Sequence, residues 1–160
     1  MNARRQEIMM HKALLLAAAA MLTVTSFAAA AEIEVKMLNK GSDGGIMVFE
    51  PALVKIDPGD TVKFVAADKG HNAASIKGML PDGAVPFVGK NGEDISVKFD
   101  QAGVYGVKCL PHYAMGMVAM IVVGTPTNIE QAKAVPQVGK AKQIFATLFE
   151  RVEAAKILSR

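Results

Sequence analysis

Three side chains that bind soft or borderline metals stand out in this chain. The 160 residues include three histidines and one cysteine, and His11 lies in an N-terminal segment that we expect to be removed. His71, Cys109 and His112 remain. Thiolate suits Cu(I) and imidazole serves both oxidation states, so this donor set indicates a copper site. Asn72, next to His71, is the expected neighbour that orients the site.

A methionine would complete the donor set. Met117 follows Cys109 in the pattern Cys-x2-His-x4-Met, and a weak axial thioether is typical of electron-transfer copper sites. Met115 and Met120 lie close by, and methionine is commonly core filler. Met120 fits a buried strand, so the spacing favours Met117 and leaves Met115 as an alternative. Four protein ligands leave no open position for substrate, which predicts redox cycling without catalysis.

The N-terminal segment has the features of a secretory signal peptide. Basic residues precede an apolar stretch, residues 13–24, and small residues follow it. The stretch has about a dozen residues, fewer than the roughly 20 that a membrane-spanning helix needs. We therefore predict a signal peptide over residues 1–30, cleavage before Ala31 or Glu32, and an exported, membrane-free domain over residues 31–160.

Removal of this segment lowers the net charge. The chain has 18 basic and 15 acidic residues, and loss of Arg4, Arg5, Lys12 and Glu7 leaves 15 and 14. A nearly neutral domain without a basic run interleaved with aromatic residues is not expected to bind nucleic acid. The single cysteine cannot form an internal disulfide, and in an oxidising compartment coordination of a metal would protect it.

Alternating apolar residues predict short β-strands. The alternation runs through residues 33–37, 62–64 and 95–99, and turn-forming residues cluster between these segments. Residues 104–109 and 117–123 form two more predicted strands, so the loop between them carries the later candidate ligands. Short strands at this spacing indicate an all-β sandwich or barrel.

The composition shifts after the last predicted strand. Residues 127–130 have the spacing of a capping box, and apolar residues recur at helical spacing over residues 144–152. Pro136 and Gly139 divide the region into two predicted helices within residues 127–158. Their apolar stripe favours packing against the sandwich over a membrane or partner surface.

These motifs resemble those of the pseudoazurins, small periplasmic type 1 (blue) copper proteins with the cupredoxin fold. The Cys-x2-His-x4-Met spacing differs from that of plastocyanin-like, azurin-like and amicyanin-like proteins. The resemblance covers nearly all of the expected mature chain, including the two C-terminal helices. It is carried, in order, by residues 37–41, 47–51, 58–62, 68–72 and 107–117.

The resemblance implies a fold, a site and a function. The implied fold is an all-β, cupredoxin-like Greek-key β-sandwich of eight strands with two C-terminal α-helices. The implied copper ligands are His71, Cys109, His112 and Met117. The implied protein is a monomeric periplasmic electron carrier, not an enzyme, which cycles one copper between Cu(I) and Cu(II). Its implied partners are copper nitrite reductase, nitrous-oxide reductase or c-type cytochromes, which dock transiently at the His112 edge.

Lysines flank the candidate ligands or the loops that lead to them: Lys40, Lys69, Lys77 and Lys108. The resemblance implies an apolar docking patch inside such a ring, and the candidates for this patch are Met47, Pro111 and Met115. A basic rim speeds encounter with an acidic partner, and a small interface allows rapid release.

Two other functional classes compete with the electron carrier. A copper storage or delivery protein would use the same soft donors in a more open or exchangeable site. A cysteine-nucleophile enzyme would pair Cys109 with His112, but the sequence shows no third orienting residue and no oxyanion-hole motif. The electron carrier is therefore the leading hypothesis.

Overall fold

The structure, a computed structural model, describes residues 29–158, with side chains as far as residue 155. The predicted signal peptide, residues 1–30, lies outside the described residues except for its last two positions. Among the described residues, no helix combines the length and the apolar character needed to cross a membrane.

Eight β-strands precede two α-helices in the described part of the chain. The strands are β1 (Glu32–Lys40), β2 (Ile46–Glu50), β3 (Leu53–Ile56), β4 (Thr61–Val65), β5 (Ala74–Ser75), β6 (Ile95–Lys98), β7 (Gly103–Lys108) and β8 (Val118–Val123). The helices are α1 (Ile129–Lys133) and α2 (Ala141–Leu158), and a 3-10 turn, Tyr113–Met115, lies between β7 and β8.

The strands form two four-stranded sheets, in the orders β2-β1-β4-β6 and β3-β8-β7-β5. β1 pairs with β4 and β3 pairs with β8 in parallel, whereas the other pairs are antiparallel. Strands that are distant in sequence are thus neighbours in each sheet, as in Greek-key connections. The predicted all-β sandwich with two C-terminal helices is confirmed.

The main core lies between the two sheets. In β4, Val62 and Phe64 are fully buried while their neighbours are partly exposed, because alternate side chains point to opposite faces of a strand. Cys109 and Met117 belong to this same core. The candidate site is therefore continuous with the packed interior of the sandwich.

Every residue of β8 is buried because the strand is covered on both faces. One set of side chains packs in the main core: Ala119, Ile121 and Val123. The other set packs in a second core with residues of α2: Val118, Met120 and Val122, against Phe145, Leu148, Phe149 and Val152. Ile129 and Ala132 of α1 lie in this second core as well, so the prediction that the two C-terminal helices pack against the sandwich is confirmed.

The start of α1 differs from the predicted capping box. Asn128 is the N-cap, and its side chain makes no capping hydrogen bond. Instead its amide oxygen accepts a hydrogen bond from the Val104 N–H at 2.7 Å, and its amide nitrogen donates to the Val104 carbonyl at 3.0 Å. The capping-box prediction is wrong because the buried backbone of β7 takes up this side chain.

Candidate metal centre

The three predicted donors meet although two loops supply them. His71 lies between β4 and β5, Cys109 directly follows β7, and His112 precedes the 3-10 turn. The two histidine Nδ1 atoms lie 3.1 Å apart. The Cys109 Sγ lies 3.8 Å from the Nδ1 of His71 and 3.5 Å from that of His112. The three residues form one cluster able to hold a single metal ion.

The three separations suit a trigonal metal site. A point in the plane of the three atoms lies about 2.0 Å from each of them, and imidazole nitrogen and thiolate sulfur bind a metal such as zinc at roughly 2.0–2.3 Å. Two imidazoles and one thiolate in such a plane are the donor set of blue copper sites. The residues present therefore fit copper in both geometry and chemistry.

Buried hydrogen bonds connect the two loops. Asn72, 3% exposed, accepts from the Leu110 N–H at 2.9 Å through its Oδ1. Its Nδ2 donates to the Gly89 carbonyl at 3.0 Å. The Cys109 N–H donates to the Met117 carbonyl at 3.0 Å and so closes the base of the second loop. The loops are held to each other without any contribution from a metal.

A side chain of β1 orients His71. The Nε2 of His71 lies 3.0 Å from the Asn39 Oδ1. Because a carbonyl oxygen only accepts, this ring nitrogen carries the proton and Nδ1 is free to bind a metal. The contact to the His71 ring thus comes from Asn39, whereas Asn72, the neighbour expected to orient the site, ties the two loops together. Nothing in the local sequence marks Asn39 as the partner of a residue 32 positions later.

Burial shifts the pKa of two of the donors, His71 and Cys109. It lowers the pKa of the fully buried His71, as does the nearby His112, against the opposing charge of Asp68. Burial also raises the pKa of the Cys109 thiol, while the backbone N–H groups of Asn72 and His112 oppose the rise. A thiol with a raised pKa is a poor nucleophile, which argues against the cysteine-enzyme hypothesis. A metal would displace the proton and bind the thiolate.

The structure separates the three neighbouring methionines. Met117 is fully buried in the same core as Cys109. Met115 is 43% exposed in the 3-10 turn, and Met120 belongs to the second core on the opposite face of β8. Burial beside Cys109 thus favours Met117 as the fourth ligand over both rivals.

The predicted docking surface is largely exposed. Pro111 and Met115 are exposed and Met47 is half-buried. Three of the four lysines named above are exposed, and Lys108 is half-buried with its Nζ 4.8 Å from the centre of the Tyr113 ring. His112 is only partly buried, in contrast to His71, so one imidazole of the cluster reaches the surface, on the same loop as the exposed Pro111 and Met115.

Known proteins resemble this chain in sequence. Residues 35–124 match the family model described as copper binding proteins, plastocyanin/azurin family. A pseudoazurin of Methylorubrum extorquens is 49% identical over 149 residues, 91% of this chain and 100% of that protein. A pseudoazurin of Paracoccus pantotrophus is 46% identical over 136 residues, 84% of this chain and 93% of that protein.

Solved structures agree with the sequence comparisons. The crystal structure of native pseudoazurin from Hyphomicrobium denitrificans has a TM-score of 0.73 and 41% sequence identity, over 75% of this chain and 97% of that chain. The fold, the three clustered donors and the relatives therefore agree on a cofactor, copper, and on a role in electron transfer rather than catalysis. The chain belongs to the pseudoazurins, within the plastocyanin/azurin family of copper-binding proteins.

Proposed function

We propose that this chain is a periplasmic carrier that holds one type 1 copper ion through His71, Cys109, His112 and Met117 and passes single electrons to reductases of denitrification, such as copper nitrite reductase. The observation that carries the ligand assignment is the triangle of two imidazole nitrogens and one thiolate sulfur. The proposed mature domain, residues 31–160, contains all four ligands.

Bound copper would supply a one-electron couple between Cu(I) and Cu(II). The protein contributes a donor set that changes little between the two states. Asn39 holds the His71 ring, Asn72 joins the two loops, and the closed hairpin base fixes Cys109 relative to Met117. His71 and Cys109 are fully buried, which excludes water from most of the site. His112 offers the short path to a docked partner.

The surface around His112 supports brief encounters with an acidic partner. Its apolar centre and its lysines suit a docking surface that forms quickly and releases quickly. Copper nitrite reductase, nitrous-oxide reductase and c-type cytochromes are the proposed partners of a monomeric carrier. The storage or delivery alternative receives no support, because two of the three clustered donors are fully buried and the loops that carry them are tied together.

The ligand assignment is tested by loading the mature domain with Cu(II) and recording visible absorption and electron paramagnetic resonance spectra. We expect an intense thiolate-to-copper absorption band and a narrow copper hyperfine splitting. Cys109→Ser keeps the size of the side chain and removes the thiolate, so the band should disappear. A blue band that survives in this variant would refute the assignment of Cys109.

The partner class is tested by stopped-flow mixing of the reduced carrier with copper nitrite reductase. Lys69→Glu should lower the association rate constant and weaken its dependence on ionic strength. Lys98→Glu is the matched control, because Lys98 is an exposed lysine of β6 that forms an ion pair with Asp100 and is not among the lysines that flank the ligands. Equal rates for both variants and the unmodified carrier would contradict the proposed basic rim.

A further inference from the structure

The loop between Cys109 and Met117, here called the ligand loop, is held on its outer side by the segment that leads into α2. The Tyr113 hydroxyl donates a hydrogen bond to the Gln137 Oε1 at 2.5 Å. One residue further along the loop, the Ala114 carbonyl accepts from the Lys140 N–H at 2.9 Å. The C-terminal segment thus contacts the ligand loop at two successive residues.

Gln137 is itself fixed to the interior. Its Nε2 donates to the Val135 carbonyl at 3.0 Å and to the Met79 Sδ at 3.1 Å. Met79 is fully buried in the second core. The amide of Gln137 therefore connects the Tyr113 hydroxyl to a rigid part of the molecule rather than to a free surface chain.

The approach of the two segments requires a glycine. Gly139 has φ of 51°, and a Cβ at this position would lie 2.2 Å from the Ala114 carbonyl oxygen. Gly116, at the end of the 3-10 turn, has φ of 94°, and its Cβ would lie 3.2 Å from the Lys140 Cβ. The segment just before α2 therefore lies close against the ligand loop at two points, Ala114 within the turn and Gly116 directly after it.

This contact falls between two proposed ligands. The 3-10 turn separates His112 from Met117, and the His112 carbonyl accepts from the N–H groups of both Met115 and Met117. A shift of the turn would therefore move His112 and Met117 relative to each other. A site that must not rearrange when its charge changes gains from such external support.

We propose that Gln137 and Gly139 are positioning residues for the copper centre: together they clamp the ligand loop and fix the separation of His112 and Met117. The proposal rests on the ligand set given under Proposed function. It assigns to the C-terminal segment a role in the redox chemistry, because a held loop limits the rearrangement that accompanies each electron transfer.

Two substitutions test the clamp. Gln137→Leu removes the hydrogen bond to Tyr113 and keeps a side chain of similar size. Gly139→Ala forces the two backbones apart. The control for the glycine is Gly124→Ala, because Gly124 has φ of 52° but its Cβ would meet no atom closer than 3.4 Å. The control for the glutamine is Gln143→Leu, at an exposed position of α2.

In the copper-loaded protein, we expect both clamp variants to change the ratio of the visible bands and the copper hyperfine splitting, and to lower the electron self-exchange rate several-fold. The controls should match the unmodified protein. Tyr113→Phe should reproduce the spectra of Gln137→Leu, and the double variant should show no further change, because both substitutions break the same hydrogen bond.

A copper-free measurement separates this proposal from the function itself. Amide hydrogen exchange of Met115 and Met117 in the copper-free domain should be faster in Gln137→Leu than in Gln143→Leu. Unchanged exchange and unchanged spectra in Gln137→Leu would overturn the clamp, even if Gly139→Ala fails to fold. Absence of a blue band in the unmodified protein, with faster exchange in Gln137→Leu, would refute the copper-carrier assignment and leave the support of the loop standing.

Discussion

Asn72 joins the two loops of the metal centre, so its replacement by alanine should weaken both the fold and the site. The substitution removes the bonds to the Leu110 N–H and the Gly89 carbonyl. Gly89 is buried, and a buried polar group without a partner costs about 1–3 kcal/mol. Leu110 lies at the surface, where water replaces the lost acceptor, and this bond accounts for about 0.5–1.5 kcal/mol.

The expected loss in the free energy of unfolding is thus about 1.5–4.5 kcal/mol, or roughly 10 °C in melting temperature for a domain of this size. Urea unfolding of the copper-free domain measures this loss. Far-ultraviolet circular dichroism is the probe, because the chain has no tryptophan whose fluorescence could be followed. Because the loops are no longer tied together, copper affinity measured by competition with a chelator should also fall about 10- to 100-fold.

The matched control is Asn91→Ala, at an exposed position before β6, which should change stability by no more than about 0.5 kcal/mol. If Asn72→Ala were as stable as this control, water would be replacing the Asn72 amide at both the Leu110 N–H and the Gly89 carbonyl. The reasoning from buried hydrogen bonds would then be refuted.

Three further substitutions probe other contacts. Asn39→Ala removes the acceptor that fixes the buried imidazole, so copper affinity should fall about 10- to 100-fold in a chelator competition; an unchanged affinity would contradict this role. Gly106→Ala places a Cβ 2.7 Å from the Met79 Sδ, which should destabilise the domain by about 1–3 kcal/mol in urea unfolding. Cleavage before Ala31 would leave an ammonium group at the nitrogen that lies 2.7 Å from the Asp60 Oδ1. Asp60→Asn should then destabilise the processed domain by up to about 1 kcal/mol. The same substitution should cost less in a form with a short N-terminal extension, which lacks the ammonium group at this nitrogen.

The strands and the donors were predictable because their signals are local. Val62 and Phe64 alternate with more polar neighbours, and both are buried as the period of two requires. The sequence outside the predicted signal peptide has two histidines and one cysteine: His71, His112 and Cys109. Elimination therefore identifies the cluster that the structure brings together. Spacing alone did not decide between Met115 and Met117, since it carries no information on burial.

The features that sequence reasoning missed depend on residues far apart in the chain. β5 has two residues, and it exists because Ala74 and Ser75 pair with Lys108 and Val107 of β7. Asn39 orients a histidine 32 positions away. Gln137 binds a tyrosine 24 positions earlier. A polar side chain such as Asn39 or Gln137 could equally well hydrogen-bond to water, so only the assembled fold determines its partner.

The two-sided burial of β8 has a consequence for strand alignment. A shift of a strand by one residue exchanges its two faces. In a sheet with one face in solvent, this would expose the apolar side chains to water. In β8 both faces are apolar and buried, so hydrophobicity alone discriminates weakly between the two alignments. The ligand loop, closed at its base by the hydrogen bond between Cys109 and Met117, then sets the alignment by its length. A one-residue insertion there would appear first as a misaligned central strand and only second as an altered metal centre.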